Sequence, residues 1–207
     1  MTRDRTYREA SDGATPAPSD EVLMALVKEG DESALADLLH RYEAPLFNYA
    51  RKMLGNAADA EDVFQESFLR VYQHRARFRP GAPFRPWLYR IATNLCKDKL
   101  RYRKRRPEIP LSSLSRPGEE MGHDPLSKKA GETIQPDEAA IAGELAARME
   151  TALASLSVKH RAVFLMAHQE GLSYAEIATA LRIPTGTVKS RMNKAVRQLM
   201  DVWEASQ

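Results

Sequence analysis

The segment from Ser173 to Met200 has the pattern of two helices joined by a tight turn. Ser173 and Glu176 have the spacing of a capping box, which predicts a helix start. Arg182-Ile183-Pro184 ends this helix, because proline disfavours helical backbone at the residue before it. The apolar side of the first helix comprises Tyr174, Ile177, Ala178 and Leu181.

The second helix of this segment, with Thr185 as its expected cap, has two chemically different sides. Its apolar side comprises Val188, Met192, Ala195, Val196 and Leu199. Small, hydrogen-bonding and cationic groups suit phosphates and base edges in a DNA major groove. Residues of these kinds lie at the start of the helix and on the side opposite the apolar one: Thr185, Gly186, Lys189, Ser190, Asn193, Lys194 and Arg197. The alternative is a helical hairpin with a solvated basic side, and the charge bias favours DNA binding.

Composition limits the class of protein. The 207 residues suffice for one or two small domains, and a net charge of +3 means that nucleic-acid affinity must come from local patches. A single cysteine, Cys96, excludes an internal disulfide and a cysteine-rich zinc site. No apolar run reaches about 18 residues, and the N-terminus lacks a signal core. We expect a soluble cytoplasmic protein without membrane insertion.

The chain divides into four parts by composition. Residues 1–18 are polar and typical of a disordered tail, whereas residues 19–106 repeat apolar positions at helical spacing. Residues 107–136 contain five prolines and three glycines, which predicts a flexible linker. Helical periodicity returns over residues 137–204. No strand pattern occurs, so we predict an all-α fold of two small helical domains.

Residues 59–72 form an amphipathic helix with an acidic side. The predicted buried side comprises Ala60, Phe64, Ser67, Phe68 and Val71, with Val63 and Tyr72 at its edges. The opposite side presents Asp62, Gln65, Glu66 and Leu69. An exposed leucine among carboxylates is typical of a protein-docking patch, although single exposed leucines also occur on solvated helices.

The segment from Arg77 to Trp87 alternates arginines with aromatic residues, and its three prolines and glycine predict a loop. Arginines with aromatics suit a single strand with unpaired bases, which makes Phe78, Arg79 and Arg85 candidate contacts. In the alternative, the aromatic residues anchor the loop to the core, a role that fits Phe84 and Trp87 better.

The following helix carries a polar stripe beside its apolar residues Leu88, Ile91, Ala92 and Leu95. The stripe comprises Arg90, Asn94, Lys97 and Arg101, and it leads into the basic run 99–106. Charge runs are usually solvated surfaces, but one that continues a polar stripe is well placed to follow phosphates.

Signals of catalysis are weak. The five histidines are scattered, and His160 and His168 lie about two helical turns apart without a third ligand nearby. No glycine-rich phosphate loop or nucleophile elbow occurs. We therefore expect no enzyme activity, no cofactor and no metal site.

The chain resembles an extracytoplasmic-function (ECF, group four) sigma factor in the order of three segments: DAEDVFQESFLRVY, FRPGAPFRPWLYRIATNLCKDKLR and LSYAEIATALRIPTGTVKSRMNKAVRQL. These are small bacterial sigma factors that keep only regions 2 and 4. The resemblance covers about residues 20–106 and 138–202. It implies a sigma region 2 over 19–106, a region 4 over 137–204, and transcription initiation for a stress or extracytoplasmic-response regulon.

The resemblance also implies a role for each surface. The acidic helix matches the surface that docks on the clamp helices of the RNA polymerase beta-prime subunit, with Asp62, Gln65, Glu66 and Leu69 as contacts. The loop from Phe78 to Pro86 matches the one that captures a flipped base of the minus-ten element. Trp87 and the polar stripe match the region at the melting upstream edge. The second helix of the C-terminal motif matches the reader of the minus-thirty-five element.

Further partners follow from the same resemblance. Residues 107–136 match the linker that threads toward the polymerase active site, and family members also contact the beta subunit. An anti-sigma factor usually holds them inactive. Two other classes fit parts of the chain: an ordinary helix-turn-helix regulator that binds duplex DNA alone, and a protein that binds RNA or single strands through the loop and basic run.

Overall fold

The computed structural model describes residues 17–105 and 136–205, and within these ranges the chain forms helices and turns without a strand. The all-α prediction is confirmed, as is the division into two helical domains. The predicted disordered tail lies outside the described residues up to residue 16, and the predicted linker lies outside them up to residue 135.

The N-terminal domain contains helices α1 (Asp20–Glu29), α2 (Glu32–Leu54), α3 (Ala57–Gln73) and α4 (Phe84–Arg105), with a 3₁₀ turn at Arg75–Arg77 before α4. Side-chain oxygens of Ser19, Asp31 and Asn56 accept backbone N–H groups at the first three helix starts. Gly30 ends α1 with φ of 99°, a conformation that other residues rarely adopt.

An aromatic core joins α2 to α4. The rings of Tyr49 and Tyr89 meet edge to face with centroids 5.1 Å apart, and the rings of Tyr42 and Phe84 do so at 5.5 Å. The Tyr49 hydroxyl lies 2.7 Å from Thr93 Oγ1, so this buried polar group has a partner. Leu38, Leu46, Met53 and Leu88 fill the space around these rings.

Helix α4 begins earlier than the proline pattern predicts. The predicted loop extended to Trp87, but the helix starts at Phe84 and includes Pro86 in its first turn. Proline is tolerated there because the first N–H groups of a helix have no intrahelical acceptor. The N–H of Phe84 donates instead to Glu21 Oε1 at 3.1 Å, which ties the start of α4 to α1.

The C-terminal domain contains α5 (Pro136–Ser155), α6 (Val158–His168), α7 (Tyr174–Leu181) and α8 (Thr185–Glu204). The capping box at the start of α7 is confirmed: the Ser173 N–H donates to Glu176 Oε2 at 2.8 Å, and the Glu176 N–H donates to Ser173 Oγ at 3.2 Å. Arg182 ends α7 in the left-handed conformation with φ of 53°.

The start of α8 differs from the prediction. Thr185 is its first helical residue, Pro184 occupies the cap position, and no side chain caps the helix. Val188, Met192 and Ala195 are buried as predicted, whereas Val196 is 37% exposed. Among the helices that the structure describes, none is both long enough and apolar enough to cross a membrane.

The two domains pack against each other. Helix α7 lies along α4, and the C-terminal end of α2 contacts α5 and α6. Arg161 on α6 donates to the Met53 carbonyl of α2 at 2.8 Å, and Arg51 pairs with Glu150 at 2.7 Å. The Tyr89 hydroxyl donates to the Glu170 carboxylate. These contacts determine which surfaces of the first domain remain open.

Candidate protein and nucleic-acid interfaces

The four residues predicted for protein docking lie together on the outer side of α3. We call Asp62, Gln65, Glu66 and Leu69 the acidic patch. With Val63, Leu95 and Lys99 they line a shallow cavity of about 560 Å³. The side chain of Leu69 is 50% exposed, and the Asp62 side chain is 65% exposed. An apolar side chain at the centre of exposed charged groups offers a partner both contact area and hydrogen bonds.

Cations of α4 hold the acidic side of α3 in place. Lys99 Nζ lies 2.8 Å from Asp62 Oδ2 and 2.9 Å from Asp59 Oδ1. Arg103 pairs with Asp59 and also donates to the Leu54 carbonyl at 3.0 Å. The sequence interpretation placed Lys99 and Arg103 in the DNA-directed basic run. Lys99 and Arg103 lie two positions after Lys97 and Arg101, and this offset turns them to another side of α4.

Phe78 lies in the core instead of on the surface. Its side chain is only 6% exposed, and its ring centroid is 5.1 Å from that of Trp87 and 6.2 Å from that of Phe84. Phe78 therefore has the anchoring role that was the alternative at the sequence level. In this arrangement its buried ring offers no free surface for stacking a base, whereas Arg79 is exposed.

A basic cavity of about 800 Å³ lies between the loop, α4 and α7. Trp87, Arg90 and Asn94 of α4 form one wall, and Thr179, Leu181 and Arg182 form the wall opposite. The described lining includes five arginines and no carboxylate: Arg70, Arg77, Arg79, Arg90 and Arg182. Such a surface suits a phosphate backbone, and the indole of Trp87 adds an apolar ring.

Positive charges lie close together along the polar stripe of α4, which comprises Arg90, Asn94, Lys97 and Arg101. We call this set the α4 stripe. Burial and the nearby Arg182 lower the pKa of Arg90. Burial, Arg191 and Arg101 lower the pKa of Lys97, although Asp98 opposes this change. Cations on facing elements therefore lie close together here, and an anion placed between α4 and the C-terminal domain would relieve their repulsion.

Arg85 and Arg101 complete the predicted minus-ten set. Arg85 donates to the Glu170 carbonyl, so here it joins the domains and is not free for DNA. Arg101 is 70% exposed on its side chain and pairs with Asp98 at 3.2 Å. Such an exposed pair is weak and easily exchanged for a phosphate contact.

The outward side of α8 is open along its length. All seven residues predicted for minus-thirty-five recognition are exposed: Thr185, Gly186, Lys189, Ser190, Asn193, Lys194 and Arg197. The Ser190 hydroxyl donates to the Thr187 carbonyl at 3.0 Å and keeps its oxygen available as an acceptor. Because Val188, Met192 and Ala195 are buried on the other side, this orientation of α8 is determined by packing.

Residues 17–105 and 136–205 contain no group of three or more His, Cys, Asp or Glu side chains arranged to hold a metal ion. Cys96 is a free, buried thiol, and burial raises its pKa to about 12. Its side chain packs in the core of the first domain.

Comparison with known families assigns a class to both domains. Residues 38–106 match sigma-70 region 2, and residues 146–199 match sigma-70 region 4. A chain that combines these two regions belongs to the sigma-70 class of transcription factors.

Curated relatives narrow the class. The chain is 36% identical over 171 residues to the ECF RNA polymerase sigma factor SigW of Bacillus subtilis, covering 81% of this chain and 88% of SigW. It is 35% identical to the ECF RNA polymerase sigma factor SigE of Mycolicibacterium smegmatis, covering 89% of this chain and 69% of SigE. The chain belongs to the ECF RNA polymerase sigma factors, whose role is promoter-specific transcription initiation.

Solved structures share the fold. CnrH, solved in complex with the cytosolic domain of CnrY, aligns with a TM-score of 0.66 at 25% identity over 91% of this chain and 99% of CnrH. The sigma factor RpoE of Bartonella quintana, solved with the anti-sigma factor NepR, aligns with a TM-score of 0.56 at 21% identity, over 83% of this chain and 99% of RpoE. The second likeness concerns the fold alone.

Phe78 and Arg79 should differ in how much they contribute to the stability of the fold. Phe78→Ala should lower the free energy of unfolding by about 3–5 kcal/mol, because it leaves a cavity in the aromatic core. Arg79→Ala should change it by no more than about 0.5 kcal/mol, since the side chain is exposed. Denaturant unfolding followed by circular dichroism measures both values. Equal stabilities for the two variants would contradict the burial of Phe78.

Proposed function

We propose that this chain joins core RNA polymerase through the acidic patch and directs it to promoters with minus-ten and minus-thirty-five elements. The observation that carries the proposal is the combination, in one chain, of an exposed acidic patch on α3 with two separate basic surfaces, on α4 and α8. A regulator that acts on duplex DNA alone needs the basic surfaces but has no use for the acidic patch.

The acidic patch supplies the polymerase contact in this proposal. Leu69 provides the apolar centre, and Asp62, Gln65 and Glu66 provide the polar rim. The partner would be the clamp helices of the beta-prime subunit. Lys99 already bonds to Asp62 at 2.8 Å, so polymerase has to replace or extend that ion pair. An exposed pair of this kind is worth about 0–1 kcal/mol, so its replacement is not costly.

The loop and the α4 stripe supply the minus-ten contact. Arg79 is exposed at the mouth of the basic cavity, and Trp87, Arg90 and Asn94 form its α4 wall. Melted DNA presents both phosphates and unpaired bases, which this combination of arginines and an indole would hold. Lys97 and Arg101 extend the same surface along α4 for the duplex upstream.

Helix α8 supplies the minus-thirty-five contact. Its N-terminal end would enter the major groove, which brings Lys189, Ser190 and Asn193 to the base edges. Thr185 and Gly186 at the first turn would lie close to the backbone, where N–H groups without intrahelical acceptors favour phosphate. Arg197 lies about two turns farther on and would contact phosphate.

Inhibition by an anti-sigma factor is part of the proposal. RpoE has the same fold and was solved with the anti-sigma factor NepR. An inhibitor that covered the acidic patch and the α4 stripe would block polymerase and DNA together.

Run-off transcription tests the proposal as a whole. Purified core polymerase is mixed with a genomic promoter library, with and without this protein, and the transcripts are sequenced. We expect a defined set of start sites that depends on the protein and shares an upstream element. If the protein binds duplex promoters alone and adds no start sites, an ordinary helix-turn-helix regulator is the better account.

Charge reversal on the acidic patch should weaken polymerase association. In the Asp62→Arg, Glu66→Arg double variant, new cations replace both carboxylates and lie beside Lys99 and Arg70. We expect at least about a tenfold loss of affinity for core polymerase, because like charges at an interface are strongly unfavourable. Biolayer interferometry with immobilised core polymerase gives the affinity.

The matched control for this variant changes the same charge elsewhere. Asp37 and Glu43 on α2 are also exposed, and the Asp37→Arg, Glu43→Arg variant has the same net charge. It should bind core polymerase like the unmodified chain. Equal losses in the two variants would show that net charge, and not the acidic patch, governs the association.

Asn193 and Arg197 should differ in what they contribute to promoter choice. Asn193→Ala should alter the preferred upstream bases, with a loss of about 1–3 kcal/mol at one position. Arg197→Ala should weaken all promoters alike and reduce the salt slope by about 1. Selection from randomised upstream elements at two salt concentrations measures both effects. An unchanged base preference in Asn193→Ala, and also in Lys189→Ala and Ser190→Ala, would mean that the specificity lies in other residues.

A further inference from the structure

Two charged side chains of the C-terminal domain are buried where the domains meet. Glu170, between α6 and α7, is 6% exposed, and its carboxylate accepts from the Tyr89 hydroxyl of α4. Arg161 on α6 is 9% exposed and donates to the Met53 carbonyl of α2 at 2.8 Å. Arg161 also donates to the carbonyls of Ala154 and Leu156, and Glu170 also accepts from Gln169, so separation of the domains removes one bond from each buried group. Because a buried polar group without its bonds is unfavourable, each group favours the closed arrangement.

The same arrangement covers part of the α4 stripe. Arg90 and Asn94 face Thr179, Leu181 and Arg182 of α7 and its turn across the basic cavity. Arg90 lies near enough to Arg182, and Lys97 near enough to Arg191, for each pair to repel. The helix-turn-helix therefore narrows the approach to Arg90 and Lys97, which are partly covered, whereas Asn94 and Arg101 stay exposed.

We propose that the chain closes on itself through an interdomain latch formed by Tyr89 with Glu170 and by Arg161 with the Met53 carbonyl. The closed form limits the access of DNA to Arg90 and Lys97 of the α4 stripe without help from any inhibitor. The inference rests on the proposed function, because the stripe is the minus-ten surface in that account.

Several interactions oppose the closed form, so the latch can be released. The pairs Arg90–Arg182 and Lys97–Arg191 oppose closure, and Arg161 Nε and Gln169 Oε1 are buried without a hydrogen-bond partner among the described residues. A polyanion that reaches the α4 stripe only in the open form would favour the separated domains, because it binds that form more tightly. The latch bonds and the repulsion between the stripe and the C-terminal domain therefore act in opposite directions.

Single-molecule energy transfer between the domains tests the latch. Dyes are attached at Gln73→Cys on α3 and Met200→Cys on α8, both exposed positions, while Cys96 is buried. The full chain should give a closed, high-transfer population. Tyr89→Phe removes one hydroxyl and leaves the Glu170 carboxylate without that donor. We expect its open population to rise at least about tenfold, because a hydrogen bond to a buried charged group is lost.

Tyr49→Phe is the matched control. Its hydroxyl is also buried and bonded, to Thr93 Oγ1 at 2.7 Å, but that bond lies within the first domain. The control should keep the closed population of the unmodified chain. Circular dichroism verifies that the variants stay helical, so that a change in transfer efficiency reports opening and not unfolding.

Two further variants test each end of the latch. Glu170→Ala and Arg161→Met should also open the chain, and Glu170→Ala combined with Tyr89→Phe should open it no more than one of them alone, because the two groups form one bond. The latch is overturned if all these variants keep the distribution of the Tyr49→Phe control. It is also overturned if the unmodified chain is already open.

A separate measurement tests whether the closed form hinders DNA binding. Fluorescence anisotropy with a labelled promoter fragment should show tighter binding by Tyr89→Phe than by Tyr49→Phe, and equal binding would contradict shielding by closure.

The energy-transfer measurement needs no polymerase, so its outcome is separate from the test of the proposed function. A chain that opens as expected yet directs no run-off transcription would refute the proposed function and leave the latch intact, whereas transcription with an unresponsive energy-transfer signal would refute only the latch.

Discussion

Burial of one side of α4 in the aromatic core orients every surface of the first domain. Phe84, Leu88 and Tyr89 are fully enclosed between α1 and α2, so the helix cannot rotate without opening the core. With that side fixed, Lys99 and Arg103 meet the carboxylates of α3, and Arg90 faces the C-terminal domain. One packing interaction therefore positions both the acidic patch and the basic cavity.

Acidic and basic side chains are concentrated on different surfaces, which the net charge of +3 does not reveal. The acidic side of α3 and the cations of α4 neutralise each other where they meet, which leaves Asp62 and Leu69 exposed at the outer edge. The cavity on another side of α4 has arginines without carboxylates. Because salt screens charges that lie more than about 10 Å apart, the two signs can act separately. In the proposed function one surface meets a protein and the other meets DNA.

Helical periodicity predicted the helices and their exposed sides, but it did not predict which helices pack against each other. It predicted the acidic patch, the capping box at Ser173 and the exposed side of α8, since each depends on residues a few positions apart. Loop composition misplaced Phe78 and the basic charge run misplaced Lys99, because the environment of each depends on which helix lies opposite. Glu170 was missed altogether: it follows Gln169 and precedes Gly171, a sequence typical of an exposed turn, and only the packing of α4 buries it.

In the proposed function, this chain and core polymerase together open promoter DNA, while neither does so alone. Permanganate reactivity of thymines in the minus-ten element measures this directly, because unpaired thymines react and paired ones do not. We expect reactive thymines only when the protein, core polymerase and a promoter identified by run-off transcription are all present. Reactivity that is absent from the complete mixture, or that is already present with core polymerase alone, would contradict it.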